Sequence, residues 1–155
     1  MSRKTEALVE NHQQKVPLKL QSIKQSLCRL LEHLDHEGHQ VSLTLVDDEE
    51  IRSINRRYLG RDHPTNVIAF SLREGDFGDI HPHLLGDIIV SAETAQRDAL
   101  AGDLPQDDMI LFLIIHGLLH LLGYDHEGPS EEAARMLDKE NELFFALKGY
   151  ELERG

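Results

Sequence analysis

The segment HGLLHLLGYDH, residues 116–126, places three histidines in an otherwise apolar stretch. On a helix with 3.6 residues per turn, His116 and His120 stand one turn apart on the same face, so both imidazoles can reach one ion. Gly123 falls where the helix is expected to end, and glycine readily adopts the left-handed conformation in which a chain reverses. The spacing therefore predicts that His126 returns to the same point as a third ligand.

Three neutral nitrogen donors, with a fourth position left for water or substrate, are typical of a catalytic zinc site. A closed structural zinc site usually recruits thiolates, and the chain has a single cysteine, Cys28, far from the motif. We therefore predict one Zn²⁺ ion per chain, bound by His116, His120 and His126. Nickel, copper or cobalt could occupy the same donors.

The spacing H-x-x-x-H-x-x-G-x-x-H coincides with the ligand spacing of the metzincin metalloproteases, which makes a metallopeptidase one alternative. In those enzymes a glutamate after the first histidine acts as the general base, whereas this chain has Gly117, which can transfer no proton. The metal would then have to activate its own water, and a nearby group would have to stabilise charge on the substrate. Asp125 could orient a ligand histidine, although a role in the turn is equally consistent.

Positive charge is concentrated in one part of this acidic chain. The net charge of −12 argues against a protein that coats nucleic acid nonspecifically through a basic surface. Residues 51–61 nevertheless contain four arginines and no acidic residue. If this segment faces the metal, its guanidinium groups suit the oxygens of a phosphodiester; otherwise it is a solvated helix face.

The remaining pattern predicts an α/β fold, a small mixed sheet packed with about five helices, with the metal site at the end of a buried helix. The 155 residues suit one domain, residues 1–155. The pattern predicts strands near residues 7–9 and at 41–46, 65–72 and 84–91, and helices at 17–38, 48–59, 92–101, 106–122 and 130–147. In the second helix we expect Ile51, Ile54 and Tyr58 to point inward. The sequence does not determine the strand order.

The composition indicates a soluble protein. No apolar run is long enough to span a bilayer, and the start, MSRKTEALVENHQQ, has no apolar stretch like that of a secretory signal. A single cysteine excludes an internal disulfide. We therefore expect a cytoplasmic protein that does not associate with membranes.

Three blocks of the sequence resemble the YbeY family of bacterial endoribonucleases. The blocks are HGLLHLLGYDH, RRYLGRDHPTNVIAFSL at residues 56–72, and LLGDIIVSAETA at residues 84–95. They occur in the family's order and, with their connections, span residues 41–150. The resemblance implies a metal held by His116, His120 and His126, and a ribonuclease for single strands that acts in 3′-end maturation of small-subunit ribosomal RNA and in ribosome quality control. It implies as partners ribosomal RNA, the ribosome, a small-subunit ribosomal protein and the Era GTPase.

The chain departs from the family at one position of the second block. Many members carry an arginine, associated with RNA cleavage, directly after the tyrosine, and this chain has Leu59 there. Arg57 and Arg61 are therefore the candidate catalytic cations, beside His116 at the metal. A zinc-dependent endoribonuclease is the leading hypothesis, and a ribosome-assembly factor in which the metal mainly secures the fold is the alternative from another class.

Overall fold

The computed structural model describes residues 5–36, 38–72, 83–124 and 130–152. Its elements in chain order are β1 (Glu6–Asn11), α1 (Leu20–His33), β2 (Gln40–Val46), α2 (Asp48–Leu59), β3 (Val67–Ser71), β4 (Leu84–Ser91), α3 (Ala92–Ala101), α4 (Gln106–Leu121) and α5 (Ser130–Lys148). The prediction of an α/β fold with a small mixed sheet and about five helices is confirmed.

The sheet has the strand order β1-β2-β4-β3. The pairs β1–β2 and β2–β4 are parallel, and β3 runs antiparallel to β4 as an edge strand, with Val67 opposite Val90 and Ser71 opposite Gly86. This order brings β3 and β4 together at one side of the sheet, where α4 packs against both.

Alternation along the strands divides the sheet into two differently covered faces. Leu43 and Leu45 in β2 and Val67 in β3 belong to the main core, which α1, α4 and α5 also build. Val46 and Ile68 belong to a smaller core with Ile51, Ile54, Phe70 and Ile89. Because successive strand residues point to opposite faces, α2 covers the face opposite to α4.

The start of α2 is fixed by two carboxylates. Asp47 caps the helix by accepting a hydrogen bond from the Glu50 amide at 2.9 Å. Asp48 accepts hydrogen bonds from the hydroxyls of Ser91 and Thr94, each at 2.6 Å, and pairs with Arg97 at 2.7 Å. Burial alone raises the pKa of Asp48, but these hydrogen bonds and the guanidinium charge bring it below its usual value. The carboxylate thus ties α2 to the first turn of α3.

Two sequence predictions about helices are corrected. The first helix ends at His33 rather than near Gly38, because Asp35 already adopts a left-handed backbone conformation with φ of 59°. The predicted inward orientation of Tyr58 is wrong, because its side chain is 61% exposed. Asn55 is buried on α2 instead, and its amide donates to the backbone carbonyl of His63 at 2.9 Å.

Gly86 allows β3 and β4 to pair beside the end of α4. A Cβ at this position would lie 2.2 Å from the Phe70 carbonyl oxygen and 2.8 Å from Leu121 Cδ2, and its φ is 152°. A side chain here would therefore push apart the edge strand and the histidine helix.

We expect Gly86→Ala to lower the free energy of unfolding by more than about 2 kcal/mol, since it combines overpacking with an unfavourable φ. The matched control is Gly149→Ala, which also has positive φ, 78°, but has no atom within 4 Å of the added Cβ. It should cost only about 1 kcal/mol. Equal losses in urea unfolding would contradict the steric explanation.

A polar contact fixes the antiparallel alignment of α4 and α5. Asp108 in the first turn of α4 accepts a hydrogen bond from the Tyr150 hydroxyl and lies 3.0 Å from Lys148 Nζ. The Tyr150 ring also makes an edge-to-face contact with Phe144, at 5.3 Å between centroids. Since the end of α5 is held at the start of α4, the middle of α5 lies beside the C-terminal half of α4.

Burial and the contact with Asp108 raise the pKa of Tyr150 to about 12. A raised pKa means that the folded state favours the neutral phenol, so this contribution to stability is complete below pH 10 and is lost as the pH rises through 12. We expect Tyr150→Phe to cost about 1 kcal/mol at neutral pH. The parent should also lose stability relative to the variant between pH 10 and 12, as measured by urea unfolding at each pH. A constant difference across this range would contradict the assignment.

Candidate metal centre

His116 and His120 meet at their Nε2 atoms in the last turns of α4. These nitrogens lie 3.2 Å apart, and the two rings cross at 76° with centroids 4.7 Å apart. Two nitrogen donors at zinc-binding distance in a tetrahedral arrangement stand roughly 3.4 Å apart. The separation of the two Nε2 atoms therefore matches that of two nitrogen ligands of one ion.

The structure describes only the first part of the chain reversal that was predicted to follow α4, up to residue 124. The helix α4 ends at Leu121, and Gly123 has φ of 95°, as expected for a glycine just past the last turn. His126, the predicted third ligand, and Asp125, the predicted orienting residue, lie outside the described residues. Their roles stay predictions.

Glu140 holds His116 from the side away from His120. Its Oε2 atom lies 3.2 Å from His116 Nδ1, and the residue is only 4% exposed. A proton on Nδ1, donated to this carboxylate, leaves the Nε2 lone pair available for a metal. Carboxylates in this position orient ligand histidines in many metal sites.

Glu140 is the site residue that the sequence reasoning missed. In α5 it falls at helical spacing between Met136 and Leu143, both of which are buried. A glutamate on the apolar face of an amphipathic helix needs a buried partner, so this pattern was available as a signal. The partner itself could not be identified, because it requires the alignment of α5 on α4.

Gly117 lets α4 lie close to the sheet. A Cβ here would lie 2.8 Å from Ile88 Cγ2 and 3.3 Å from Val67 Cγ2. A glutamate at this position would point into the packed interface and not toward a metal held by the histidines. At the position where metzincins carry their general base, this chain therefore has neither an ionisable residue nor space for a side chain.

The predicted arginines stand apart from the histidines. Arg57 belongs to α2, on the opposite face of the sheet from α4, and Arg61 follows the left-handed Gly60 at the end of that helix. No described contact joins either arginine to His116. Arg135, on α5, lies on the histidine side, where it lines a cavity of about 270 Å³ with Gly123 and Tyr124.

The model of the family described as endoribonuclease YbeY matches residues 8–148. The chain belongs to this family. The endoribonuclease YbeY of Syntrophus aciditrophicus is 53% identical over 146 residues, which cover 94% of this chain and 91% of the relative. That of Syntrophotalea carbinolica is 47% identical and covers 90% of this chain and 94% of the relative. The family resemblance predicted from the three sequence blocks is confirmed.

A solved structure gives independent support for the fold of this YbeY family member. The chain is similar to a structural-genomics target protein from Thermotoga maritima, solved in solution, with a TM-score of 0.62 and 23% identity. The match covers 92% of this chain and 89% of that protein. The β3–β4 edge and the histidine helix thus belong to a fold that has been observed experimentally.

Within residues 5–36, 38–72, 83–124 and 130–152, no single helix is long and apolar enough to cross a bilayer. The pair α3 and α4 meets the length and composition requirement jointly, but the two helices are bent by 115°.

We expect Glu140→Gln to weaken zinc binding by about tenfold, because the variant keeps the shape of the side chain but removes the charge that holds the Nδ1 proton. The measurement is zinc competition against a chromophoric chelator, which does not depend on any catalytic activity. Glu142→Gln is the matched control, since Glu142 is an exposed residue of the same helix that pairs with Lys139. The same affinity in both variants would exclude a positioning role for Glu140.

Proposed function

We propose that this protein is a zinc-dependent endoribonuclease that cleaves single-stranded RNA in 3′-end maturation of small-subunit ribosomal RNA and in ribosome quality control. The observation that carries the proposal is the convergence of His116 and His120 on one point, with His116 held by the buried Glu140. Relatives that share most of the chain bear the name endoribonuclease YbeY.

In this proposal His116, His120 and His126 hold one Zn²⁺ as neutral imidazoles, and Glu140 keeps the His116 proton on Nδ1. Zinc, when bound, lowers the pKa of a coordinated water and polarises a phosphoryl oxygen. Gly117 cannot serve as a base. The proton released by the coordinated water would therefore pass to bulk solvent or to a group outside α4.

Arginines are the residues suited to hold the phosphate. A guanidinium can donate two parallel hydrogen bonds to phosphodiester oxygens. In the described part of the chain, Arg57 and Arg61 form no ion pair, whereas Arg52 is held by Asp62 at 2.9 Å. Because Arg57 and Arg61 stand apart from the histidines, we assign them to RNA phosphates away from the metal centre and not to the cleaved one, and Arg135 is a third cation on the histidine side.

The cellular location and the partners in this proposal are those that the family resemblance implies. The protein acts in the cytoplasm on ribosomal RNA, in contact with the ribosome, a small-subunit ribosomal protein and the Era GTPase. An assembly factor with a mainly structural metal would share these partners but would not need the metal for cleavage. If this chain were a metallopeptidase, it would lack the general base, because Gly117 follows its first histidine.

The test compares the parent with the double variant His116→Ala, His120→Ala for zinc content, circular dichroism and cleavage of a single-stranded ribosomal RNA fragment. We expect about one zinc per chain in the parent, and loss of both metal and cleavage in a folded double variant. The control is His12→Ala, His63→Ala, which removes two exposed histidines elsewhere. It should keep both properties.

Two other results would contradict the proposal. Cleavage that is equal in the parent and the folded, metal-free variant would identify a contaminating nuclease and favour the assembly factor. An unfolded double variant, together with zinc-dependent stability of the parent and no cleavage by either protein, would assign the metal to the fold alone.

A further inference from the structure

Tyr58 is an exposed aromatic side chain next to a second aromatic ring. It lies in the last turn of α2 and is 61% exposed. Its ring contacts Phe70 of β3 with centroids 5.5 Å apart and an interplanar angle of 68°. Phe70 packs in turn against the smaller core, so the pair is attached to the sheet and not to a loop.

Three arginines lie at the end of α2 beside this pair, and Asp62, which follows them in the chain, is paired with Arg52. The guanidinium carbon of Arg57 lies 6.0 Å from the centroid of the Tyr58 ring. We call residues 56–61, RRYLGR, the α2 tip; it contains three arginines and no acidic residue, and its Leu59 is 50% exposed. In a chain with a net charge of −12, this is a local site of attraction for an anionic partner.

The α2 tip is held in place from several sides. Asn55, one turn before Leu59, binds the His63 carbonyl, and the Gly60 amide donates to the Arg56 carbonyl at 3.2 Å. Asp47 and Asp48 anchor the other end of the helix. An aromatic ring on so fixed a support loses little freedom when it binds a planar group.

We propose that Tyr58, supported by Phe70 and flanked by Arg57, is a stacking platform for a base of single-stranded RNA. The inference rests on the proposed function and assigns a binding surface to its substrate. Bases of every type can stack on an aromatic ring, and arginines beside it bind the adjoining phosphates. Tyrosine and arginine are also enriched at protein interfaces, so RNA is favoured over a protein partner by the proposed substrate and by the excess of positive charge at the α2 tip.

The position of the platform defines how the RNA reaches the histidines. Val67 of β3 contacts α4 near Gly117, whereas Phe70 of the same strand lies on the α2 face. An RNA strand on the platform must therefore pass over the β3 edge to reach α4. Asp87, the cross-strand partner of Phe70, lies on the same face of the sheet as Phe70 and would repel phosphates there. We therefore expect the phosphates of the bound RNA to lie beside the arginines of α2.

The experiment uses the absence of tryptophan from the chain. Tyr58→Trp places the chain's single tryptophan on the platform, and Phe145→Trp, which places it at an exposed position of α5, is the matched control. Each is titrated with a short 2′-O-methyl oligouridylate. We expect RNA to quench the emission of Tyr58→Trp and to leave that of Phe145→Trp unchanged.

Binding of the same RNA, labelled for fluorescence anisotropy, provides a second measurement. Tyr58→Ala should weaken binding by about tenfold, whereas Tyr58→Phe, which keeps the ring, should stay within about twofold of the parent. Arg57→Ala and Arg61→Ala should each reduce the dependence of log affinity on log salt concentration by about 0.7. Arg52→Ala removes the same charge from a residue already paired with Asp62 and should change this slope less.

The outcomes separate this inference from the proposed function. If the parent binds RNA and a folded Tyr58→Ala binds it equally well, the platform is wrong and the endoribonuclease proposal stands; the surface would then be a candidate protein contact. Weaker binding by Tyr58→Ala without quenching in Tyr58→Trp would also overturn stacking. If the parent binds no single-stranded RNA, both proposals fail.

Discussion

The contact between the buried carboxylate of Glu140 and the imidazole of His116 links the core of the protein to its candidate metal centre. An acidic side chain that is removed from water requires a polar partner, and α5 places this one 3.2 Å from the ring nitrogen that a metal does not use. The packing of α5 on α4 and the orientation of His116, a candidate metal ligand, therefore depend on the same contact. The Asp108 contacts with Lys148 and Tyr150 act on the same alignment from the opposite end of the helix pair.

The close fit of α4 on the sheet is the second condition for this arrangement. Gly117 has Ile88 and Val67 directly beneath it, and Gly86 leaves room for Leu121 beside the β3–β4 ladder. Both glycines stand where one face of the histidine helix meets a strand. The imidazoles consequently project from a helix that is supported along its length by rigid neighbours, which suits a site that must hold an ion at defined distances.

Local patterns in the sequence were sufficient to predict most of the helices and strands. They did not predict how elements that are distant in the chain are placed against one another. The patterns that predicted the strand at 41–46 and the apolar helix before His116 depend only on neighbours in the chain, and the corresponding strand and helix are present. The strand order, the pairing of Glu140 with His116 and the exposure of Tyr58 depend on which elements meet in space. Tyr58 has the spacing of an inward residue, but α2 reaches the edge strand at this point and little remains to cover the ring. Periodicity within one helix carries no information about where its neighbour ends.

The Asp48 network has a consequence for where this fold can bind ligands. Crevices beyond the carboxyl ends of parallel strands are the usual ligand sites of α/β sheets. Here β2 and β4 are neighbouring parallel strands, and the gap beyond their carboxyl ends is filled by Asp48, which Ser91, Thr94 and Arg97 hold in place. The protein's own carboxylate occupies the position that a phosphate takes in many nucleotide-binding folds. The histidine helix instead runs from Gly117 over Ile88 to Leu121 beside Gly86, toward the amino ends of those strands. The end of the sheet where many α/β folds bind ligands is therefore a structural joint in this protein, and the candidate metal centre lies at the opposite end.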